Sequence, residues 1–243
     1  MKISGFIAGF YFTGMSFFPV MSWAAKGEHT LSQGYVWLHV SGLKNFVKNR
    51  SDYNRMALEQ VVNDGFHSRE NDNGGFSNYV GNDKPLQGIN VRYRYEITDK
   101  LGVMSSFTWV RSKTSAKSIA DIHPAGAGEA TSHVSARTDI IASYRSFLAG
   151  PVWRVNEYAS LYAMAGAGMT KFSADLKISK NIKGSKCEPL GDKRYSKSKI
   201  SFAGAVGGQF NLNETVVIDV TYEYSGYGQW HASGFGAGIG FKF

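Results

Sequence analysis

The stretch W-H-A-S-G-F-G-A-G-I-G-F-K-F, Trp230 to Phe243, decides the fold class. Counting back from the end by twos, one face carries Phe243, Phe241, Ile239, Ala237 and Phe235, and the other carries Lys242, Gly240, Gly238, Gly236 and Gly234. A β-strand sends alternate side chains to opposite faces, so this is a strand with one apolar and one nearly bare face. Apolar outside against small or polar inside is the alternation of a strand between lipid and a lumen. The competing reading is the last strand of a soluble sandwich, but a soluble sheet seldom spends alternate positions of one face on glycine.

Composition agrees. Across 243 residues, aromatics at 14% and 28 glycines against five prolines favour an all-β chain with many close backbone approaches. Beyond the N-terminus no apolar run nears the ~18 residues of a membrane helix. Lipid contact through alternate strand residues reconciles this with the greasy last strand, because averaging over two faces hides the hydrophobicity. The formal charge of +8 admits nucleic acid or an anionic surface as a partner. Nucleic acid is set aside, because the excess is concentrated in one segment and the chain reads as exported. A single cysteine, Cys187, excludes an internal disulfide framework and a multi-cysteine metal site, and reads as an inert loop residue.

Residues 1–24 have the form of a signal peptide. Lys2 is a minimal positive region, Ile3 to Val20 is apolar, and Ser22-Trp23-Ala24 supplies small residues for cleavage before Ala25. Pro19 and the small-residue end argue against an uncleaved anchor helix.

After that, strand patterns alternate with two kinds of connection. Thr98-Asp99-Lys100, Asn156-Glu157 and Asn213-Glu214 are short, and the others are long and polar, the asymmetry of an outer-membrane barrel. Strands are expected at about 31–40, 86–97, 101–113, 138–155, 158–177, 199–212, 215–224 and over the terminal stretch. Both parities of the first hold apolar residues, so its facing stays open. Eight antiparallel strands enclose a lumen that side chains can fill, which excludes a porin. Arg92, Arg94, Glu96, Asp219 and Glu223 fall on lumen-facing positions. Charge in so narrow an interior is costly unless paired, which predicts an ion-pair network acting as a structural plug in preference to a proton path or catalytic carboxylates.

Long surface loops are expected at about 43–84, 112–137 and 173–198, with a tight fourth at Gly226-Tyr227-Gly228. The first would hold a short helix, Tyr53 to Asn63, capped by Ser51 or Asp52 and carrying Met56, Val61 and Val62. The third is basic: Lys177, Lys180, Lys183, Lys186, Lys193, Arg194 and Lys197 against Asp175, Glu188 and Asp192. Such a loop contacts lipopolysaccharide phosphates and acidic sugars, or binds anionic host partners such as heparan sulfate or matrix proteins, or is merely solvated. No G-x-S-x-G elbow occurs. His123 lies near Asp121 and His133 near Glu129 without a supporting motif, and His39 and His231, where first and last strands close, read as rim residues. No catalytic, cofactor-binding or metal site is expected.

The chain ends on Phe243, with Phe241 two places and Gly238 five places earlier, which resembles the signal read by the outer-membrane assembly machinery. Beyond that, G-I-N-V-R-Y-R-Y-E (Gly88–Glu96), L-G-V-M-S-S-F-T-W (Leu101–Trp109), A-G-P-V-W-R-V-N-E-Y-A-S-L-Y (Ala149–Tyr162), F-A-G-A-V-G-G-Q-F-N (Phe202–Asn211), V-V-I-D-V-T-Y-E-Y-S (Val216–Ser225) and the terminal G-x-G-I-G-F-K-F resemble the Ail/Lom/OmpX family of outer-membrane proteins. The resemblance implies a monomeric eight-stranded barrel in the outer membrane of a Gram-negative cell, with four surface loops, no cofactor and no enzymatic activity. It also implies adhesion or invasion, binding to matrix proteins, or recruitment of complement regulators with serum resistance. Other family members have little assigned function, so a membrane-stabilising barrel is the alternative, and a small-barrel enzyme a more distant one. The loops do not match, so no binding residue is carried over.

Overall fold

A computed structural model describes residues 26–65, 76–80, 84–122, 132–182, 188–227 and 230–243. The leader expected at 1–24 and Cys187 lie outside these residues. The elements are β1 (His29–Val40), α1 (Ser41–Gly65), β2 (Phe76–Val80), β3 (Leu86–Glu96), β4 (Leu101–Ile122), β5 (Ser132–Arg154), β6 (Ala159–Ile182), β7 (Glu188–Asn211), β8 (Val216–Tyr227) and β9 (Trp230–Lys242).

Antiparallel pairing runs from β1 through β3, β4, β5, β6, β7, β8 and β9 and back to β1, closing an eight-stranded barrel. The short β2 lies beside the upper end of β4, Phe76 opposite Ala120 and Val80 opposite Ala116. Closure leaves no sheet edge within the ring, which is what lets strands sit in hydrocarbon. The seam between β1 and β9 is tight: Gly34 pairs directly with Gly238. A Cβ built on Gly238 would lie 2.6 Å from the Gln33 carbonyl oxygen and 2.7 Å from the Gly34 Cα.

Alternation sorts the side chains. Ile89, Val91, Tyr93 and Tyr95 of β3 are exposed while Asn90, Arg92, Arg94 and Glu96 are buried. On β9, Phe235, Ile239 and Phe241 face out, and on β7 so do Ile200, Phe202, Val206 and Phe210. Strand β1 turns Leu31, Tyr35 and Trp37 outward and Thr30, Ser32, Val36, Leu38 and Val40 inward. Both of its parities are apolar for a physical reason: its upper inward residues pack against α1 instead of lining a wet lumen.

The narrow rim is closed by side-chain turns. Asn156 Oδ1 accepts from the Tyr158 and Ala159 amides at 2.9 and 2.8 Å, and Asn213 Oδ1 does the same for Thr215 and Val216 at 2.9 and 2.7 Å. Thr98 Oγ1 accepts from the Leu101 amide at 3.0 Å. Asn and Thr hold such turns by mimicking the backbone.

The wide rim differs from the sequence expectation. Much of 112–137 and 173–198, read as loops, is strand: β4 and β5 stay paired up to Ile122 and Ser132, and β6 and β7 up to Lys180 and Glu188. The helix read at Tyr53–Asn63 runs from Ser41 to Gly65, and Met56 is 67% exposed. One cause explains both differences. The buried residues Leu43, Phe46, Val47, Ser51, Asn54 and Leu58 recur at helical spacing and form the packed face of α1. Leu58 joins Val134, Ala136 and Leu176 on the inner face of the raised strands, and Leu43, Phe46 and Val47 join Val36, Val40, Leu86, Phe172 and Ala174 across the mouth. Asn54 bridges two strands, donating to the Ala116 carbonyl at 3.3 Å and accepting from Thr138 Oγ1 at 2.6 Å. The helix therefore caps the barrel, and the raised strands are long because they supply its packing surface. No acidic residue lies in its first turn and no basic one in its last, so burial holds it more than the helix dipole does.

Candidate functional site

Two regions hold the charged residues singled out above. In the lumen, Arg92 pairs with Asp219 across the barrel, and Asp219 also accepts from Tyr162 Oη at 2.8 Å and Gln209 Nε2 at 2.9 Å. Arg94 pairs with Glu96 and donates to Gln209 Oε1 at 2.8 Å and Ser160 Oγ at 3.1 Å. Arg154 meets Glu96 at 2.7 Å and Glu28 at 3.5 Å. At the narrow rim, burial pushes the Glu28 carboxyl above its ordinary value, opposed by Lys242 and Arg154. That component of stability therefore falls as pH rises from the ordinary carboxyl value through the raised one. Glu223 is held differently: it accepts from Thr108 Oγ1 at 2.9 Å, Tyr144 Oη at 2.8 Å and Ser146 Oγ at 2.5 Å. The lumen thus brings four of the five predicted charges into ion pairs and surrounds the fifth with hydroxyls. The sequence reading missed Arg154, Tyr144 and Tyr162, although alternation from the buried Val152 already turns Arg154 inward.

These groups tie β3 to β5, β6, β7 and β8, and the apolar layer beneath α1 lies beyond them toward the wide rim. Buried charges paired with one another and with hydroxyls are suited to fixing the barrel's shape.

The second region is the raised β5–β6–β7 sheet. Pairing places Asp139, Asp175 and Arg194 in one row and Arg137, Lys177 and Asp192 in the next. In these two rows of β5, β6 and β7, three acids meet three bases, and Lys117 of β4 extends the second row beside Arg137. Arg194 Nε donates to Asp175 at 2.6 Å, a hydrogen bond that raises the guanidinium above its ordinary value, and Arg137 Nε lies 3.1 Å from Asp139. The opposite face of β7 carries Lys193, Tyr195, Lys197 and Lys199, whose partners on β6 are Leu176, Ala174, Phe172 and Thr170. This row faces α1 and holds no acid. A shallow groove at one end of it is lined by Thr170, Phe172, Lys197, Ser198 and Lys199, and a separate one at the other end sets Lys193 beside Asp139, Asp175 and Asp192. Of the basic residues read from sequence, Lys193 and Lys197 share this face and Lys177 and Arg194 lie on the opposite one. The Lys180 side chain, Lys183 and Lys186 lie outside the described residues. Arg50 and Lys199 were missed, because nothing local in the sequence says that α1 lies against β7.

The terminal residues sit at the narrow end of the seam. Phe241 and Phe243 are exposed, and Phe243 exchanges backbone hydrogen bonds with His29 at 2.9 and 3.0 Å while their rings stack at 5.7 Å. His39 lies opposite Ser233, and His231 Nδ1 lies 3.1 Å from Ser41 Oγ at the start of α1, so His231 belongs to the junction between helix and seam. His123 is not among the described residues, nor is the His133 side chain. Among the described residues, no cluster of three or more His, Cys, Asp or Glu is placed to hold a metal ion, and no helix is long and apolar enough to cross a membrane.

A closed antiparallel barrel with an apolar outer belt and a polar, packed lumen is a transmembrane β-barrel, which crosses the membrane with its strands. Residues 73–243 match the family described as Enterobacterial Ail/Lom protein, and the chain belongs to that family. It is 36% identical over 162 residues to the outer membrane protein lom of Escherichia phage lambda, covering 65% of this chain and 74% of that protein. It is 33% identical over 161 residues to the attachment invasion locus protein of Yersinia pseudotuberculosis, covering 66% of this chain and 74% of that one. The crystal structure of Ail, the attachment invasion locus protein of Yersinia pestis, in complex with the heparin analogue sucrose octasulfate is similar at a TM-score of 0.54 and 27% identity, covering 90% of this chain and 99% of that one. The protein is accordingly an outer-membrane protein. The family match begins after α1.

Proposed function

We propose that this barrel is a surface attachment protein that binds anionic polymers of host cells and matrix through its wide rim. The observation that carries the reading is the row Lys193, Lys197 and Lys199 on one face of β7 beside the α1 residue Arg50, on the side opposite the Arg194–Asp175 pair. A row of cations attracts polyanions over about 8 Å at physiological salt. The attachment invasion locus relatives, and the solved complex of one of them with a heparin analogue, support this direction. The role is binding, not catalysis, and the family's non-enzymatic character supports that. Recruitment of complement regulators, and hence serum resistance, would use the same exposed rim.

The test is adherence. Cells of a non-adherent laboratory strain displaying the barrel are counted on epithelial monolayers against an empty-vector strain, with and without soluble heparin and added salt. A gain that heparin and salt abolish is expected. A gain that persists unchanged at high salt removes the electrostatic reading. No gain shifts the role to complement resistance, checked by survival in serum, or to membrane stabilisation.

A further inference from the structure

The outer wall of the barrel carries a cationic patch at the upper edge of its apolar belt. On β4 the outward residues from Leu101 to Trp109 are followed by Arg111. Those nine residues reach ~30 Å, which at a tilt of ~40° covers most of the ~25 Å apolar band. The same step recurs on the next two strands: toward the wide rim, Phe147 gives way to Arg145 on β5, and Met169 to Lys171 on β6. Elsewhere round the ring the residue in this place is Gln87 on β3, Ser198 on β7, Ser233 on β9 and His39 on β1. Cations that merely anchor a barrel at the interface have no reason to gather on three consecutive strands. Pairing sets Arg111 opposite Ser143, and Ser143 opposite Lys171, with Arg145 the next outward residue below Ser143. Arg111 and Lys171 are thus two strand spacings apart, ~10 Å, and Arg145 lies ~7 Å below the middle of that row. All three are exposed. Among the described residues the nearest acids on this face, Asp139 and Asp175, lie two outward positions above Ser143 and Lys171 and are engaged by Arg137 and Arg194. The Arg145 guanidinium carbon lies 5.8 Å from the Trp109 ring centre, which holds that cation at the top of the belt.

We propose that β4, β5 and β6 form a binding site for the phosphorylated lipid anchor of lipopolysaccharide, one phosphate resting over Ser143 between Arg111, Arg145 and Lys171 and acyl chains lying down the belt along Phe107, Trp109 and Phe147. The site goes beyond the reading of the wide rim as an attachment surface and uses none of its residues. Short turns of an outer-membrane barrel face the periplasm and the longer connections face the cell surface, so the patch lies in the outer leaflet. Directly beneath the cations, Phe107, Trp109 and Phe147 are exposed to hydrocarbon. A ligand that satisfies both levels is anionic at one end and apolar at the other. A phosphate monoester brings up to two negative charges to three cations, and a guanidinium takes two of its oxygens as a planar fork. A zwitterionic phospholipid brings its own ammonium to the same place and a phosphodiester brings a single charge, so the lipid anchor of lipopolysaccharide fits better than either. Ser143, small and hydroxylated, leaves room for the phosphate at the centre and adds a donor to it.

The experiment uses the full barrel refolded in nonionic detergent, with fold checked by heat-modifiable mobility and bound lipid counted by native mass spectrometry. Bisphosphorylated lipid A is expected to bind about tenfold or more tightly than its dephosphorylated form or phosphatidylglycerol. Arg111→Gln and Lys171→Gln are each expected to weaken it about tenfold, the size of one lost charge-assisted contact. Adding Arg145→Gln to both is expected to bring binding down to that of the dephosphorylated lipid. Lys193→Gln, on the α1-facing side of β7, is expected to change it less than about twofold. Should the triple variant fail to fold, Arg111→Gln and Lys171→Gln decide the matter, since both leave the Arg145–Trp109 stack in place. Unchanged binding in these two variants, or equal binding of dephosphorylated lipid A, overturns the site. Phosphatidylglycerol that binds as tightly, with the same dependence on Arg111 and Lys171, overturns the assignment to lipopolysaccharide. Each of these results stands apart from the adherence assay, because none of the three cations belongs to the row on β7.

Discussion

At the scale of residues, the lumen charges are a matter of pairing. Arg92 and Asp219 are 2% and 0% exposed, so removing one leaves a buried charge without its counter-ion. Asp219→Ala is expected to destabilise the barrel by about 3–5 kcal/mol, measured by urea unfolding in lipid vesicles, whereas replacing both by apolar residues of similar volume should cost far less. The contrast between single and double replacement separates a structural plug from a proton path, for which both would abolish activity alike. At the seam, Gly238→Val places a side chain against the Gln33 carbonyl and the Gly34 backbone. The expected outcome is loss of the heat-modifiable folded band, because β1 and β9 cannot close. Deleting Phe243 tests a different property. If the terminal aromatic serves assembly, outer-membrane accumulation falls while refolding in detergent in vitro is preserved.

At the scale of elements, α1 is the departure from a plain barrel. Its buried residues lie on one stripe, and each large apolar side chain stabilises by about 1.5–3 kcal/mol when removed from water. Leu58→Asp puts a charge into the Leu58, Val134, Ala136 and Leu176 cluster. The helix is then expected to detach while the eight-stranded ring stays folded. Limited proteolysis should show this as new cleavage within 41–65 beside an intact barrel fragment, and loss of the whole folded band would mean instead that α1 is integral to the ring.

For the whole molecule, the division of labour is vertical. Lipid-facing aromatics and aliphatics form the belt, the ion-pair network fills the lumen, α1 closes the mouth, and Lys193, Lys197 and Lys199 line the α1-facing side of β7. Adherence of displaying cells is therefore expected to fall steeply with added salt, and to fall further when Lys193, Lys197 and Lys199 are neutralised than when Lys177 and Arg194 are.

Sequence by itself determined which residues meet lipid and which meet the lumen in β3, β4, β7, β8 and β9 and near the end of β5, because a two-residue period is a local property of the extended backbone and needs no knowledge of neighbours. It determined the inward set of Arg92, Arg94, Glu96, Asp219 and Glu223 for the same reason, and the turns at Thr98, Asn156 and Asn213 from their own chemistry. Tertiary structure alone decided the facing of β1, the length of β4 to β7, the extent of α1, and which lysines share a face. In each case the deciding contact joins segments far apart in the chain. Val36 and Leu38 look no different from lipid-facing residues until Leu43 and Phe46 are seen to cover the mouth. Likewise Lys193 and Arg194 are neighbours in sequence, yet one reaches Tyr53 on α1 and the other is neutralised by Asp175, because successive side chains leave a strand on opposite sides and only packing says what waits on each.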